Sequence, residues 1–407
     1  MRAVVLCATL AASSLPSTVR AQSLRLTEAD AVALLSPESS RVRALRSDID
    51  VAKADVLAAN RWANPRLTYD RESVSGVRED MFMVSQVLPV TGRRRFAVDA
   101  ASALVDATNR RTDESLRRAR ADLRIVFAHL LASQTREKEL AAAAARIRDL
   151  AEILARREVA GDTAGFDRLR AEREALEIDA DLGAAATDRA DAQSRLAAYF
   201  ANTIDPLQLV AVDESAPPYD EPPLEALLER ADTARGGLLA LQKDLDAARL
   251  SLKAADRGRV PEPEIAVGTK SSTLPGADRG GVFTLQASLP LFDRNAPERA
   301  LAVARASQAS ARSDAVRAGV RADITALRAA VIERRGTADR YRRGALAMTG
   351  ELERIAQVSY DAGERGILDL LDAFRTGASA RLRQAALDAA VREAQIELEF
   401  ASGWEIR

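Results

Sequence analysis

The chain has 407 residues, a formal net charge of -1 and only 4% aromatic residues. That balance argues against a nucleic-acid footprint and against an acidic tail. A single cysteine, Cys7, and a single histidine, His129, exclude a disulfide framework and leave almost nothing for a zinc site or a His-based catalytic triad.

Residues 1–21 read as a secretory signal peptide. Arg2 supplies the positive start, Ala3 to Leu15 form an apolar stretch too short to span a bilayer, and Val19-Arg20-Ala21 precede the expected cleavage point. Cys7 falls inside this signal, so the mature chain has no thiol and no cysteine placed to carry a lipid anchor. No later segment offers 18 consecutive apolar residues, so any contact with a membrane has to be made through strands.

The first repeat spans 22–201. Thr27 is placed to cap a helix that runs to about Ala63, where Asn64-Pro65 stops it. A β-hairpin at 66–88 follows: Leu67 and Tyr69 alternate with Thr68 and Asp70, Ser73 to Asp80 read as a polar loop, and Met81 to Leu88 form the second strand. The stretch 93–160 has neither Pro nor Gly and predicts one helix about 100 Å long. A tip at 161–166, turning at Gly161, leads to a helix of half that length. Residues 202–223, rich in Pro and acidic side chains, read as an equatorial crossing.

The second repeat, 224–403, replays this order. It predicts a helix to Gly258, a β-hairpin at 264–289 with a loop over Ser271 to Gly281, a long helix at 297–362, a tip at 363–367 and a last half-length helix; 404–407 are a tail. Pro290-Leu291-Phe292-Asp293-Arg294-Asn295 answers Pro89-Val90-Thr91-Gly92-Arg93-Arg94, and Asp369 in the second tip aligns with Asp167 in the first. Two half-length helices end to end match one long helix, which suits a wall of uniform height, and Ala-rich stripes such as Ala141 to Ala145 let neighbours approach closely. On helices alone, a soluble coiled-coil protein fits equally well.

The strands separate these readings. Phe283, Leu285, Ala287 and Leu289 share one face, with Thr284, Gln286 and Ser288 on the other. Phe82, Val84 and Leu88 form the matching apolar face of the first hairpin, with Gln86 as an exception. Two hairpins cannot close a barrel, and an open edge in hydrocarbon leaves backbone groups unpaired, so several copies have to pool their strands.

At this point the mature chain resembles the TolC-type outer-membrane factor (outer membrane efflux protein) family. The segments Gln86 to Arg95 and Ser288 to Asn295 resemble its heavy-metal-efflux, CzcC-like branch, and the second tip, Ser359 to Ala373, is similar to the family's periplasmic aperture motif. The resemblance implies a fold that is mainly α with membrane β. Duplicated helical hairpins would form a periplasmic α-barrel, and four strands per chain would join a trimeric twelve-stranded β-barrel. It further implies a passive exit duct of a tripartite efflux pump in the Gram-negative outer membrane, with no reaction and no cofactor. The implied partners are two further copies, a periplasmic adaptor, an inner-membrane transporter of the RND type and outer-membrane lipid. Carried over by position, Asp369 and Asp372 narrow the periplasmic entrance, while Tyr360, Arg365 and Asp167 hold it closed.

Asp369 and Asp372 lie three apart on a helix and so share a side; repeated around a threefold axis they make a ring that attracts cations. An aspartate near a helix start is also favoured by the helix dipole, whatever its function. Gly161, Gly363 and Gly366 are expected at the turns that an adaptor would grip, and Phe82, Val84, Phe283 and Leu285 to face lipid. The competing reading is a soluble periplasmic coiled-coil scaffold or adaptor.

Overall fold

A computed structural model describes residues 23–160, 165–200, 204–213, 222–274, 276, 279–292 and 294–404. The expected signal segment, Gly161 and part of the expected crossing therefore lie outside the described residues. In chain order the elements are β1 (Leu24–Leu26), α1 (Glu28–Ala33), α2 (Ser40–Ala59), β2 (Arg66–Val74), β3 (Val77–Val87), α3 (Arg93–Ala160) and α4 (Gly165–Ala197), then β4 (Leu209–Ala211), α5 (Leu224–Ala234), α6 (Gly236–Arg257), β5 (Pro263–Ser272), β6 (Arg279–Ala287), α7 (Ala296–Tyr341), α8 (Ala347–Asp361) and α9 (Ile367–Ser402). Long helical hairpins dominate, with one four-stranded sheet at the far end.

The 68 residues of α3 form one helix because strong helix formers fill it and no breaker interrupts them. It is the axis of the chain: α2, α4, α6 and α9 all pack on it. Three apolar clusters hold the helices together, two of them built on α3. One, toward the tip, joins Leu140, Ile147 and Leu154 to Ala171 and Ile178 of α4 and Ile367 and Leu370 of α9. The second holds Leu123, Phe127 and Leu130 against Leu196, Phe200 and Leu209. The third gathers α5, α6, α7 and α9 around Leu227, Ile324 and Leu398.

Four expectations are corrected. Thr27 caps the first helix, in a reciprocal capping box with Asp30, but that helix does not run on to Ala63: it is two, α1 and α2, the second capped by Ser39 and ending at Ala59, and before it Leu24–Leu26 pairs in parallel with Leu209–Ala211. The helix leading into the second hairpin divides at Arg235, whose ψ of 114 leaves the helical range. The long helix of the second repeat carries a π-turn at Arg342–Leu346 between α7 and α8. The polar residues 73–80 are strand, not loop: β2 and β3 are joined by Ser75 and Gly76 alone, both at positive φ, as a two-residue hairpin turn requires.

The sheet order is β2-β3-β5-β6, antiparallel throughout, so the two hairpins join through β3 and β5 and leave β2 and β6 as open edges. Each hairpin is tied to its helices at the base. Arg94 donates to the carbonyl of Asn60, and Asn295 Nδ2 donates to the carbonyl of Ala255, linking the helix before each hairpin to the helix after it.

Candidate functional site

The sheet's register sets the first surface. Leu67, Val84, Val267 and Phe283 form one cross-strand row, and Tyr69, Phe82 and Thr269 the next row outward. All of these are exposed, Phe283 at 69% and Leu285 at 65%, while Ser85 and Ala266 on the opposite face are buried. The sheet thus presents Phe, Val and Leu on one exposed face, with polar and small side chains on the other. From Gly281 to Leu289 this apolar stretch covers about 26 Å of extended chain, comparable with the band of an outer-membrane barrel. Gln86, the polar exception on that side, sits at the base and donates its amide to the carbonyls of Ala63 and Val87.

The second surface is the tip. α8 ends in a Schellman motif: Gly363 at φ 74 donates to the Tyr360 carbonyl, and Glu364 donates to the Ser359 carbonyl. Only the left-handed conformation at Gly363 lets the chain reverse and start α9 from Gly366. Ile367, Leu370 and Leu371 point into the hairpin, so Asp369 and Asp372 emerge on the other side, exposed and with no carboxylate partner among the described residues. Arg365 is likewise exposed and makes no bond to Asp167 within the chain; Asp167 is half-buried in the first turn of α4. Tyr360 is held from the first repeat by Arg157, whose guanidinium lies 5.8 Å from the ring centre.

Two ion-pair hubs brace the hairpins, and neither is visible as a motif. Glu353 of α8 accepts from Arg146 of α3 at 3.0 Å and from Arg381 of α9 at 2.6 Å, while Glu139 lies 3.5 Å from Arg381. Gly377 makes room for it, since a Cβ there would meet the Glu353 carboxylate at 1.8 Å. The only signal in the sequence is a carboxylate on the inward stripe Thr349, Glu353, Ala356, Tyr360. The second hub lies midway along the body, where Arg124 donates to Glu28 and to Glu399, and Arg392 also donates to Glu28. Burial pushes Glu28 up, but the Arg392 and Arg124 guanidiniums outweigh it and hold the carboxyl below its ordinary value. Burial dominates at Glu399 and raises it.

Duplicated long helical hairpins carrying a four-stranded, open-edged sheet are the fold shared with solved outer-membrane channels. Residues 227–404 match the family model for outer membrane efflux proteins. Across 88% of this chain and 85% of its own length, the cobalt-zinc-cadmium resistance protein CzcC of Cupriavidus metallidurans is 23% identical. The crystal structure of the outer membrane protein VceC from Vibrio cholerae superposes with a TM-score of 0.76 at 16% identity, covering 93% of this chain and 97% of that one. The CmeC outer membrane channel of Campylobacter jejuni gives 0.78 at 13% identity, over 93% and 85%. The second repeat is thus similar to the outer membrane efflux proteins, and the chain has the fold of these channels nearly end to end.

Proposed function

We propose that the chain is the outer-membrane channel of a tripartite efflux pump, a passive conduit that runs from the Gram-negative outer membrane into the periplasm. The observation that carries this reading is the sheet: one face is apolar and exposed, and both outer edges are open. Closing such a sheet in hydrocarbon needs further strands, and three copies supply twelve. The trimer works with a periplasmic adaptor and an inner-membrane transporter, here of the RND type, and its strands sit in outer-membrane lipid through Phe82, Val84, Phe283 and Leu285.

The tip is the gate. Threefold repetition of the unpartnered Asp369 and Asp372 makes a cation-attracting constriction. Arg365 reaches Asp167 of a neighbouring copy to hold it closed, with Tyr360 packed behind, and the turns at Gly161, Gly363 and Gly366 meet the adaptor. The likeness to a cobalt-zinc-cadmium resistance protein favours divalent metal ions as cargo.

Planar-bilayer conductance tests the gate. Trivalent or divalent cations added on the tip side should block the wild type, and Asp369→Ala with Asp372→Ala should weaken that block at least tenfold. Equal block in both removes the ring. Carbonate washing of outer membranes tests the alternative of a soluble scaffold, which would be released where the channel stays.

A further inference from the structure

Beyond the aromatic row, the charges on the sheet sort by face. On the apolar side, Arg71, Asp80, Ser271 and Arg279 form the row above Tyr69 and Phe82, and Arg78 stands in the row above that, opposite Ser73. At the same height the opposite side carries Asp70, Glu72 and Glu79 against Lys270. Among the described residues the rim on the apolar side therefore has three arginines against one carboxylate, and the rim on the opposite side the reverse. General solubility at a strand tip would not segregate the signs.

The arginines are held ready rather than neutralised. Asp80 accepts from Arg71 Nε at 2.6 Å and from the Tyr69 hydroxyl at 2.7 Å, and its second oxygen lies 3.8 Å from Arg78. One carboxylate thus orients two guanidiniums, which remain 54% and 55% exposed. Arg279 is exposed and has no ion-pair partner among the described residues. Directly beneath, the Tyr69 and Phe82 rings stack with centroids 4.5 Å apart, which fixes where hydrocarbon gives way to headgroups. The arginine row lies about 7 Å further out, two residues along the strand.

We propose that Arg71, Arg78 and Arg279 form a binding site for the phosphate groups of anionic lipid in the outward-facing leaflet, repeated threefold around the barrel. A guanidinium fork matches phosphate oxygens in pairs, and the site lies at the depth where a lipid carries them. This rests on the membrane-channel reading above and adds to it the headgroup chemistry and the residues that recognise it.

The test uses the full chain purified in detergent, exchanged into mixed micelles containing either a diphosphorylated glycolipid or phosphatidylcholine, with retained lipid measured by native mass spectrometry. The wild type should retain about tenfold more of the phosphorylated lipid than R71Q/R78Q/R279Q, with no difference for phosphatidylcholine. Arg279→Gln alone leaves the Asp80 contacts intact and should give a smaller loss, about threefold, which guards against misfolding of the triple variant. Equal retention by all three proteins overturns the site. So does full displacement by millimolar inorganic phosphate, which would mark a free-anion site. Carbonate extraction separates the two levels. If wild type and variants stay in the membrane yet bind lipid equally, only the site falls; release of the wild type removes the channel reading as well.

Discussion

The two long helical runs of this chain, α3 and α7–α8, have similar lengths and different surroundings. α3 is enclosed by its own chain, with Leu123, Phe127, Leu130, Ile147 and Leu154 fully buried. α7 and α8 lie at the margin, and α8 leaves Met348, Leu352, Ile355 and Val358 exposed along one side. An exposed apolar stripe of that length marks a contact surface. One copy of the chain is thus a segment of wall, finished around its first long helix and unfinished along its second.

Truncations should separate these two environments. Phe127→Ala removes a side chain that is 1% exposed and should cost about 3–5 kcal/mol in denaturant unfolding. Leu352→Ala on the margin should cost less than about 0.5 kcal/mol in the same measurement. Its effect should instead appear as a lower dissociation temperature of the assembled trimer on unheated gels; equal unfolding losses in both variants would show that the second helix is enclosed after all.

The ion-pair hub joins the two halves, so it should come next in size. Glu353→Ala leaves Arg146 and Arg381 without their shared carboxylate and should cost about 2–3 kcal/mol, less than a fully buried pair because Arg146 is partly solvated. Protease cleavage near the second tip should accelerate while cleavage in the α3–α4 hairpin stays unchanged. Gly363→Ala places a side chain at φ 74 and should lose about 1 kcal/mol, read as faster amide exchange at Gly363 to Gly366.

The smallest expected effect is at mid-height. The folded Glu399 carboxyl titrates above its unfolded value, so it destabilises the fold as pH rises through the unfolded value toward the folded one. Glu28 has the opposite sign: its stabilisation is present above the unfolded value and lost as pH falls through the depressed folded one. Glu399→Gln should therefore flatten the loss of thermal stability on the rising limb above pH 4.5 and leave the acid limb in place. A variant that instead loses stability at neutral pH would mean the Glu399–Arg124 pair outweighs its desolvation.

Much of this was legible because it rests on local pattern. The change of period at Asn64-Pro65, the alternation in Val282 to Leu289 and the glycine closing α8 are each written in consecutive residues. What was missed depends on distant partners. Leu24–Leu26 is too short to declare itself as a strand, and its partner β4 lies across the whole first repeat. The division at Arg235 falls beside Gly236, where a Cβ would meet the Arg110 carbonyl of α3 at 2.6 Å. The Glu353 hub needs three helices brought together before its charges find one another. Tip residues Asp369 and Asp372 were found as a pair on one side, and the fold adds the reason: the neighbouring Ile367, Leu370 and Leu371 are consumed by packing.

The pairing of β1 with β4 has a consequence for how the protein is made. Strand β1 cannot be secured as it is synthesised, because its partner β4, the Arg124 that clamps Glu28 and the Arg392 that completes the clamp all follow it in the chain. Strand β1 and α1 are therefore held in full only once the last helix, α9, is in place.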